Sequence, residues 1–469
     1  ATQHSPLGAP RAPQSFIQSL LLAEYDNLLA CVRCGLCLTS CPTYVLTAHE
    51  AEGPRGRVAM LRALAEGRLA STPDLVRHEQ SCLVCEACSA VCPAGVRMGP
   101  LQVAFRAALA PRAPRPLWQR ALRHVVYRGV FAHPGVLRLV VRLLWLYQRS
   151  GLQALARRSG LLRALRLAER EALLPPLPRR FVVPRGETYP GNRGWGIGGR
   201  ERETAVSPHL PTPNPQSPSP ERVALFAGCV MATAIAEIDR ATIRVLQRAG
   251  CDVVNPAGQG CCGALHAHGG DSAGARGLAR RNIAAFEAAG AAPIVVNAAG
   301  CSAMLKEYAH HLADDPAWAA RARAFAARVR DVTEYLAARA GGALPFSLPP
   351  RGPAQVRVTY QDPCHLAHAQ GIRQPPRALL RTVPGLELRE LSDGGLCCGS
   401  AGVYNLTHPA EARQLRERKL DAALATGADV IATTNPGCLL HLRAGLVARG
   451  SSVQVRHVVE LLDAAMSNE

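Results

Sequence analysis

The chain has 469 residues, 17 cysteines and a formal charge of +19, with 54 Lys and Arg against 35 Asp and Glu. That length provides for about three domains of ordinary size, and an odd cysteine count excludes a fully paired disulfide framework. Aromatic residues make up only 4% of the chain and no nucleic-acid motif accompanies the arginine excess, so the charge does not mark a nucleic-acid binder. No basic-then-apolar leader pattern opens the sequence. The most apolar run, GVLRLVVRLLWLY from Gly135 to Tyr147, is interrupted by Arg138 and Arg142 and is too short for a bilayer span. A cytoplasmic protein is expected, free or peripheral on the inner face of the cell membrane, with its thiols kept reduced as metal ligands.

Residues 1–110 hold eight cysteines in two runs. The first is CVRCGLCLTSCP, with Cys31, Cys34, Cys37 and Cys41 before Pro42; the second is CLVCEACSAVCP, with Cys82, Cys85, Cys88 and Cys92 before Pro93. This spacing is the bacterial ferredoxin pattern, in which three close thiolates wrap one iron–sulfur cube and the fourth reaches the other. It predicts two [4Fe–4S] clusters, one on Cys31, Cys34, Cys37 and Cys92, the other on Cys82, Cys85, Cys88 and Cys41. Structural zinc prefers separated cysteine pairs, often with histidine, and does not need triplets closed by proline. Clusters held by four thiolates are anionic, and Arg33, Arg55, Arg57 and Arg97 lie near the ligands in sequence as candidate compensating charges.

Residues 111–183 read as a basic helical segment: no Asp or Glu occurs between Glu86 and Glu169. Arg138, Arg142 and Arg149 fall on one helix face amid Leu, Val, Trp145 and Tyr147. That pattern suits anionic lipid, an acidic partner, or packing on the chain's own domains. Residues 184–220 are rich in Pro, Gly and Ser, including PHLPTPNPQSPSP, and read as a linker that continues neither helix nor ladder. The Gly-rich GNRGWGIGG lies in it without a preceding strand, so a dinucleotide site is not expected.

Beyond the linker the chain repeats itself, over residues 221–350 and 351–469. Cys229, Cys261/Cys262 and Cys301 match Cys364, Cys397/Cys398 and Cys438 at offsets of 135, 136 and 137 residues. Each copy alternates short apolar runs (RVALFAGCV, CDVVNP, APIVVNAAG; QVRVTYQDPC, LELREL, DVIATTNPGC) with amphipathic helical patterns, which predicts βαβ units on a mostly parallel sheet. The expected fold is therefore a multidomain α+β and α/β chain: a helical two-cluster ferredoxin-like domain, then two duplicated α/β cysteine-rich domains.

Neighbouring cysteines such as Cys397 and Cys398 rarely bond to each other. In each copy the post-strand cysteine, the Cys-Cys-Gly loop and the later helix cysteine are expected to converge on one further iron–sulfur site, with Gly263 and Gly399 permitting close backbone approach. Cys251 has no counterpart and is expected in the core. His365, His368 and His441 are candidates for ligation or proton shuttling, although a lone histidine is more often structural. No phosphate loop, nucleophile elbow or HExxH motif is present, and no catalytic residue is expected in this chain.

The segments ACVRCGLCLTSCPTY, EGPRGR, CPAGVRMGPL, GCCGALHAH, AGCSAMLKEY, CHLAHAQ and LCCGSAGVYNLTHPAEARQLRERK resemble the iron–sulfur subunits of bacterial glycolate oxidase (glycolate dehydrogenase). These sit within the wider family of CCG-domain proteins that includes heterodisulfide reductase subunits. The resemblance covers nearly the whole chain apart from the basic segment and linker. It implies partner subunits that carry FAD and oxidise glycolate to glyoxylate, while this chain relays electrons toward a quinone or other acceptor. A relay for lactate or glycerol 3-phosphate dehydrogenase, and a heterodisulfide-type thiol redox enzyme, are the alternatives. One departure stands out: the relatives close a cluster-binding repeat with CxxC, whereas Met304 and His441 occupy the last position here.

Overall fold

The computed structural model describes residues 16–110, 116–165, 167–191, 221–290, 292–340, 344, 355–392 and 395–467. The amino-terminal block is built of helices and turns. Helix α1 (Pro54–Ala65) starts on proline, whose fixed φ suits a first helical position. It buries Val58, Leu61, Leu64 and Ala65 at three- and four-residue spacing. That stripe packs with Leu21 and Leu28 against Leu101 and Phe105 of α2 (Met98–Leu109). The two cysteine runs are thus pinned on either side of one small core.

The described part of the basic segment is largely helical. Helix α3 (Leu117–His124) runs into a wider turn of helix over Val125–Phe131, followed by α4 (Pro134–Arg149) and α5 (Leu152–Arg158). The chain bends by 103° between Phe131 and Pro134. Among the described residues, only the inner side of α4 is covered, where Leu137 and Val141 pack with Leu177, Phe181 and Cys229. No single helix among the described residues is long and apolar enough to cross a membrane.

The linker reading needs a correction at its start. Thr188–Tyr189 forms strand β1, and the backbones of Gly186, Glu187 and Asn255 exchange hydrogen bonds beside it. A sheet edge offers unpaired N–H and C=O groups, and two residues suffice to engage them before Pro190 stops the ladder. Residues 192–220, most of GNRGWGIGG and the repeat boundary at 350/351 lie outside the described residues.

Each repeat is a parallel sheet. The first comprises β2 (Glu221–Phe226), β3 (Cys251–Val254), β4 (Ile294–Val296) and β5 (Val329–Asp331), ordered β3-β2-β4-β5 with β1 antiparallel on the β3 edge. The second comprises β6 (Val356–Tyr360), β7 (Leu386–Arg389), β8 (Val430–Thr433) and β9 (Gln454–His457), ordered β7-β6-β8-β9. The two orders are the same, so the duplication seen in the cysteines extends to the topology. The helices that matter below are α6 (Ala236–Arg248), α7 (Ala299–Lys306), α8 (Val332–Ala340), α9 (Gln374–Thr382), α10 (Pro409–Ala425), α11 (Pro436–Ala448) and α12 (Val458–Met466). The first long helix of each repeat packs on the last helix of the other, α6 on α12 and α9 on α8. One apolar core runs through both, joining Val245 and Leu246 to Leu380 and Leu462.

Candidate metal centres

Both ferredoxin-type runs fold their cysteines inward by the same backbone device. Arg33 and Gly35 in the first run, and Val84 and Glu86 at the equivalent places in the second, have φ of 58°, 85°, 54° and 61°. Left-handed residues among ordinary ones turn successive N–H groups toward one centre, an arrangement that favours anionic groups. A β-branched valine in that region is strained and persists only where the surroundings enforce it. Donors already aim at sulfur: the Val84 N–H lies 3.4 Å from Cys82 Sγ, and the Val96 N–H 3.4 Å from Cys92 Sγ.

Two adjoining cavities result. The first, about 440 Å³, is lined by Cys31, Cys34, Cys37 and Cys92 together with Arg33 and Arg55. The second, about 330 Å³, is lined by Cys41, Cys82, Cys85 and Arg57. Cys88, Pro54 and Met98 form walls common to both. Each cavity thus draws its remote cysteine, Cys92 or Cys41, from the opposite run. The first opens to the surface, where Cys34 is exposed; in the second, Cys41, Cys82 and Cys85 are buried. Burial pushes the Cys37 thiol up to about 11 and Cys82, Cys85 and Cys88 above the usual thiol range, so without metal these groups hold their protons.

Of the four candidate arginines only Arg57 is buried, at 1% exposure. Its guanidinium donates to Thr43 Oγ1 at 3.0 Å, Glu52 at 2.7 Å, Ser81 Oγ at 2.7 Å and the His78 carbonyl at 3.0 Å, and lies 3.9 Å from Cys41 Sγ. Arg55 is partly exposed and paired with Glu50. Arg33 lines the first cavity, and the Arg97 backbone is tied to Asn27.

The repeats place their cysteines at the carboxyl ends of the strands, around the point where strand order reverses, which is where open α/β sheets bind ligands. In the first, Cys229 follows β2 and touches Cys261, while Cys262 touches Cys301 at the start of α7. Met304 is buried there, close to Gly263, whose φ is 91°. In the second, Cys364 follows β6 and contacts Cys397, and Cys398 Sγ lies 3.2 Å from Cys438 Sγ on α11. Gly263 and Gly399 each direct their N–H at the first cysteine of the pair, Cys261 and Cys397, at 3.5 Å. Cys398 is held well below the usual thiol range by contacts with Cys397 and Cys438.

The sites are not isolated from one another. Leu83, Cys85 and Ala87 share an apolar cluster with Cys397 and Tyr404, against which Cys364 packs. His365 Nε2 donates to the Val84 carbonyl at 2.9 Å. Between the repeats, Asn435 accepts from Gly300 N–H at 3.1 Å and donates to Cys438 Sγ at 3.6 Å, linking the two helix cysteines. Among the described residues, no three His, Cys, Asp or Glu side chains stand close enough to hold a single ion. Thiols grouped around N–H donors suit iron–sulfur clusters, in which each thiolate takes a different iron.

The remaining candidates divide. Cys251 lies in β3, fully buried, 3.4 Å from the Tyr335 hydroxyl. His368 donates to the Gly395 carbonyl, and the neighbouring Arg373 donates to its Nδ1. Among features that sequence reasoning passed over, Tyr404 is buried between Cys397 and the Arg57 network, and its placement depends on contacts far apart in the chain.

Comparison with known proteins agrees with these assignments of type. Family profiles match a 4Fe-4S dicluster domain over residues 27–96, the linker region of glycolate oxidase iron–sulfur subunits over 118–174, and the cysteine-rich CCG domain twice, over 223–306 and 358–443. The chain is 39% identical over 444 residues to a probable glycolate oxidase iron–sulfur subunit of Bacillus subtilis, covering 94% of each. It is 33% identical to the glycolate oxidase iron–sulfur subunit of Escherichia coli, covering 96% of this chain and 98% of that one. A lactate utilization protein A from Exiguobacterium is 30% identical across 51% of this chain and 96% of its own. The chain belongs to the family of glycolate oxidase iron–sulfur subunits.

Proposed function

We propose that this chain is the electron-transfer subunit of a complex that oxidises glycolate to glyoxylate on FAD-carrying partner subunits and passes the electrons to a quinone or other acceptor. The observation that carries the reading is the pair of adjoining cavities whose cysteine sets cross between the two runs. Cys31, Cys34, Cys37 and Cys92 would hold one [4Fe–4S] group, and Cys41, Cys82, Cys85 and Cys88 the other. Such a group, once bound, supplies reversible one-electron storage. The chain's own residues set the surroundings. Exposed Cys34 brings the first site to the surface within reach of a partner, and buried Cys85 lies against Cys364 and Cys397 of the second repeat. Cys229, Cys261, Cys262 and Cys301, and likewise Cys364, Cys397, Cys398 and Cys438, supply thiols for further iron–sulfur groups in the repeats.

The reading places the complex on the inner face of the cell membrane, held through the outer faces of α3, α4 and α5 on anionic lipid. It is tested by purifying the chain with its partners under anaerobic conditions, counting iron and sulfide, identifying the copurifying flavoprotein, and following EPR signals during reductive titration. About eight irons are expected from the ferredoxin-type block alone, with more if the repeats are loaded. A colourless preparation without EPR signals after dithionite would sink the proposal. A copurifying lactate or glycerol 3-phosphate flavoprotein would redirect it to that substrate.

A further inference from the structure

His441 stands three residues after Cys438 on α11, so the two side chains share one helix face a turn apart. The imidazole is buried, at 4% exposure. Its Nε2 donates to the Ala412 carbonyl at 3.2 Å, which fixes the neutral tautomer and leaves a lone pair on Nδ1. That Nδ1 is buried and has no hydrogen-bond partner among the described residues. The ring is near enough to Cys398 for their charges to interact. Ala412, its anchor, also backs the Cys-Cys-Gly loop, since a Cβ on Gly399 would come within 2.6 Å of the Ala412 oxygen.

An imidazole that donates one ring N–H to a backbone carbonyl and offers the other nitrogen bare is the arrangement found at metal-bound histidines. A buried acceptor without a donor is otherwise costly. The corresponding residue of the first repeat, Met304, offers only a weak thioether and packs as core. We infer that His441 Nδ1 is a metal ligand of the second repeat's iron–sulfur site, alongside Cys364, Cys397, Cys398 and Cys438, and that the first repeat lacks this fifth ligand. The inference rests on the proposal that the second repeat holds such a group. A neutral imidazole in place of a thiolate lowers the negative charge of that centre, which raises its potential relative to an all-thiolate one.

The test uses the full chain purified anaerobically, with nitrogen-14 and nitrogen-15 histidine labelling of the unmodified protein read by pulsed EPR of the reduced state. A coupling of the size given by a directly bonded imidazole nitrogen is expected, changing with the isotope. His441→Leu should abolish it and leave the ferredoxin-type signals unchanged; His441→Cys should abolish it and lower the midpoint potential of that centre. Coupling that persists in His441→Leu overturns the proposal, as does its absence from unmodified protein whose iron count exceeds about eight. An iron count of about eight overturns it as well but leaves the two-cluster reading intact, whereas a colourless protein ends both.

Discussion

Arg57 is the residue whose environment says most about the ferredoxin-type block. A buried guanidinium is normally destabilising unless it is paired and fully hydrogen-bonded, and Arg57 meets both conditions through Glu52, Thr43, Ser81 and the His78 carbonyl. Its charge also faces Cys41 and Cys82, where it favours the more negative, reduced state of anything these thiolates hold. Arg57→Gln is expected to lower the midpoint of the buried site and, by leaving Glu52 short of its partner, to cost about 3–5 kcal/mol of stability. Arg57→Lys keeps the charge but not the planar fork, so it should recover more of the potential than of the stability. EPR-monitored titration and thermal unfolding separate the two effects; an unchanged midpoint in Arg57→Gln would remove the electrostatic role. Four arginines near the ligands were legible in the sequence, but not which one is buried. That choice depends on Glu52, His78 and Ser81, which two separate cysteine runs bring together. His441 was likewise legible as a candidate, but the bare nitrogen that distinguishes it from His368 exists only once Ala412 is packed beside it.

At the scale of elements, the unusual feature is an outer surface that is apolar where it should be polar. On α4 the outward side carries Val136, Leu139, Leu143 and Leu146, spaced three, four and three residues apart, while the inward side carries Leu137 and Val141. Exposed Leu117, Trp118, Leu122 and Val125 continue the patch on α3 and the turn after it, and Leu152 and Leu155 continue it on α5. Arg142, Arg149, Arg157 and Arg158 are exposed among them, with no carboxylate anywhere from residue 87 to 168. Exposed leucines interspersed with arginine, of which Arg157 pairs with Glu171, are complementary to an anionic bilayer surface, where apolar burial and charge attraction add. The expectation is flotation of the chain with vesicles containing phosphatidylglycerol, weakened by salt and reduced about tenfold or more by Leu139→Glu with Leu143→Glu. Equal binding to neutral vesicles, or a substitution that instead releases a protein partner or splits a dimer, would reassign the surface. The sequence showed the arginine face of this helix, but not that the leucines opposite the core are left uncovered, because coverage is settled by what the other domains reach. Strands β2, β3, β4, β6, β7 and β8 were legible as apolar runs. Strands β5 and β9 were not, since VRD and QVRH alternate arginine with buried residues and are drawn into place by the strand beside them.

For the molecule as a whole, the joint between the repeats is a polar hub inside an apolar interface. Asn297, just past β4, donates to Asp239 of α6 at 2.8 Å and accepts from His457 Nε2 of the second repeat at 2.8 Å. Burial pushes Asp239 up to about 8, and its second carboxylate oxygen has no hydrogen-bond partner among the described residues. Burial pushes His457 down to about 4. The signs differ. An unfolded histidine titrates at about 6.5, so the His457 contribution is complete above that pH and is lost as pH falls toward its folded value. An unfolded aspartate titrates at about 3.9, so the Asp239 contribution is complete below that pH and is lost as pH rises through its folded value. Between these limits the two slopes oppose each other up to about pH 6.5, and above it only Asp239 acts. Stability is therefore expected to fall by about 2 kcal/mol from about pH 6.5 to 8, at 1.36 kcal/mol per unit for one proton. Asp239→Asn should remove that fall while leaving the acid limb set by His457 in place. Denaturation midpoints of the full chain at both pH values, with and without the substitution, measure the difference directly. Parallel profiles would mean that Asp239 is ionised in the folded protein and that the repeats are held together without the proton this hub requires.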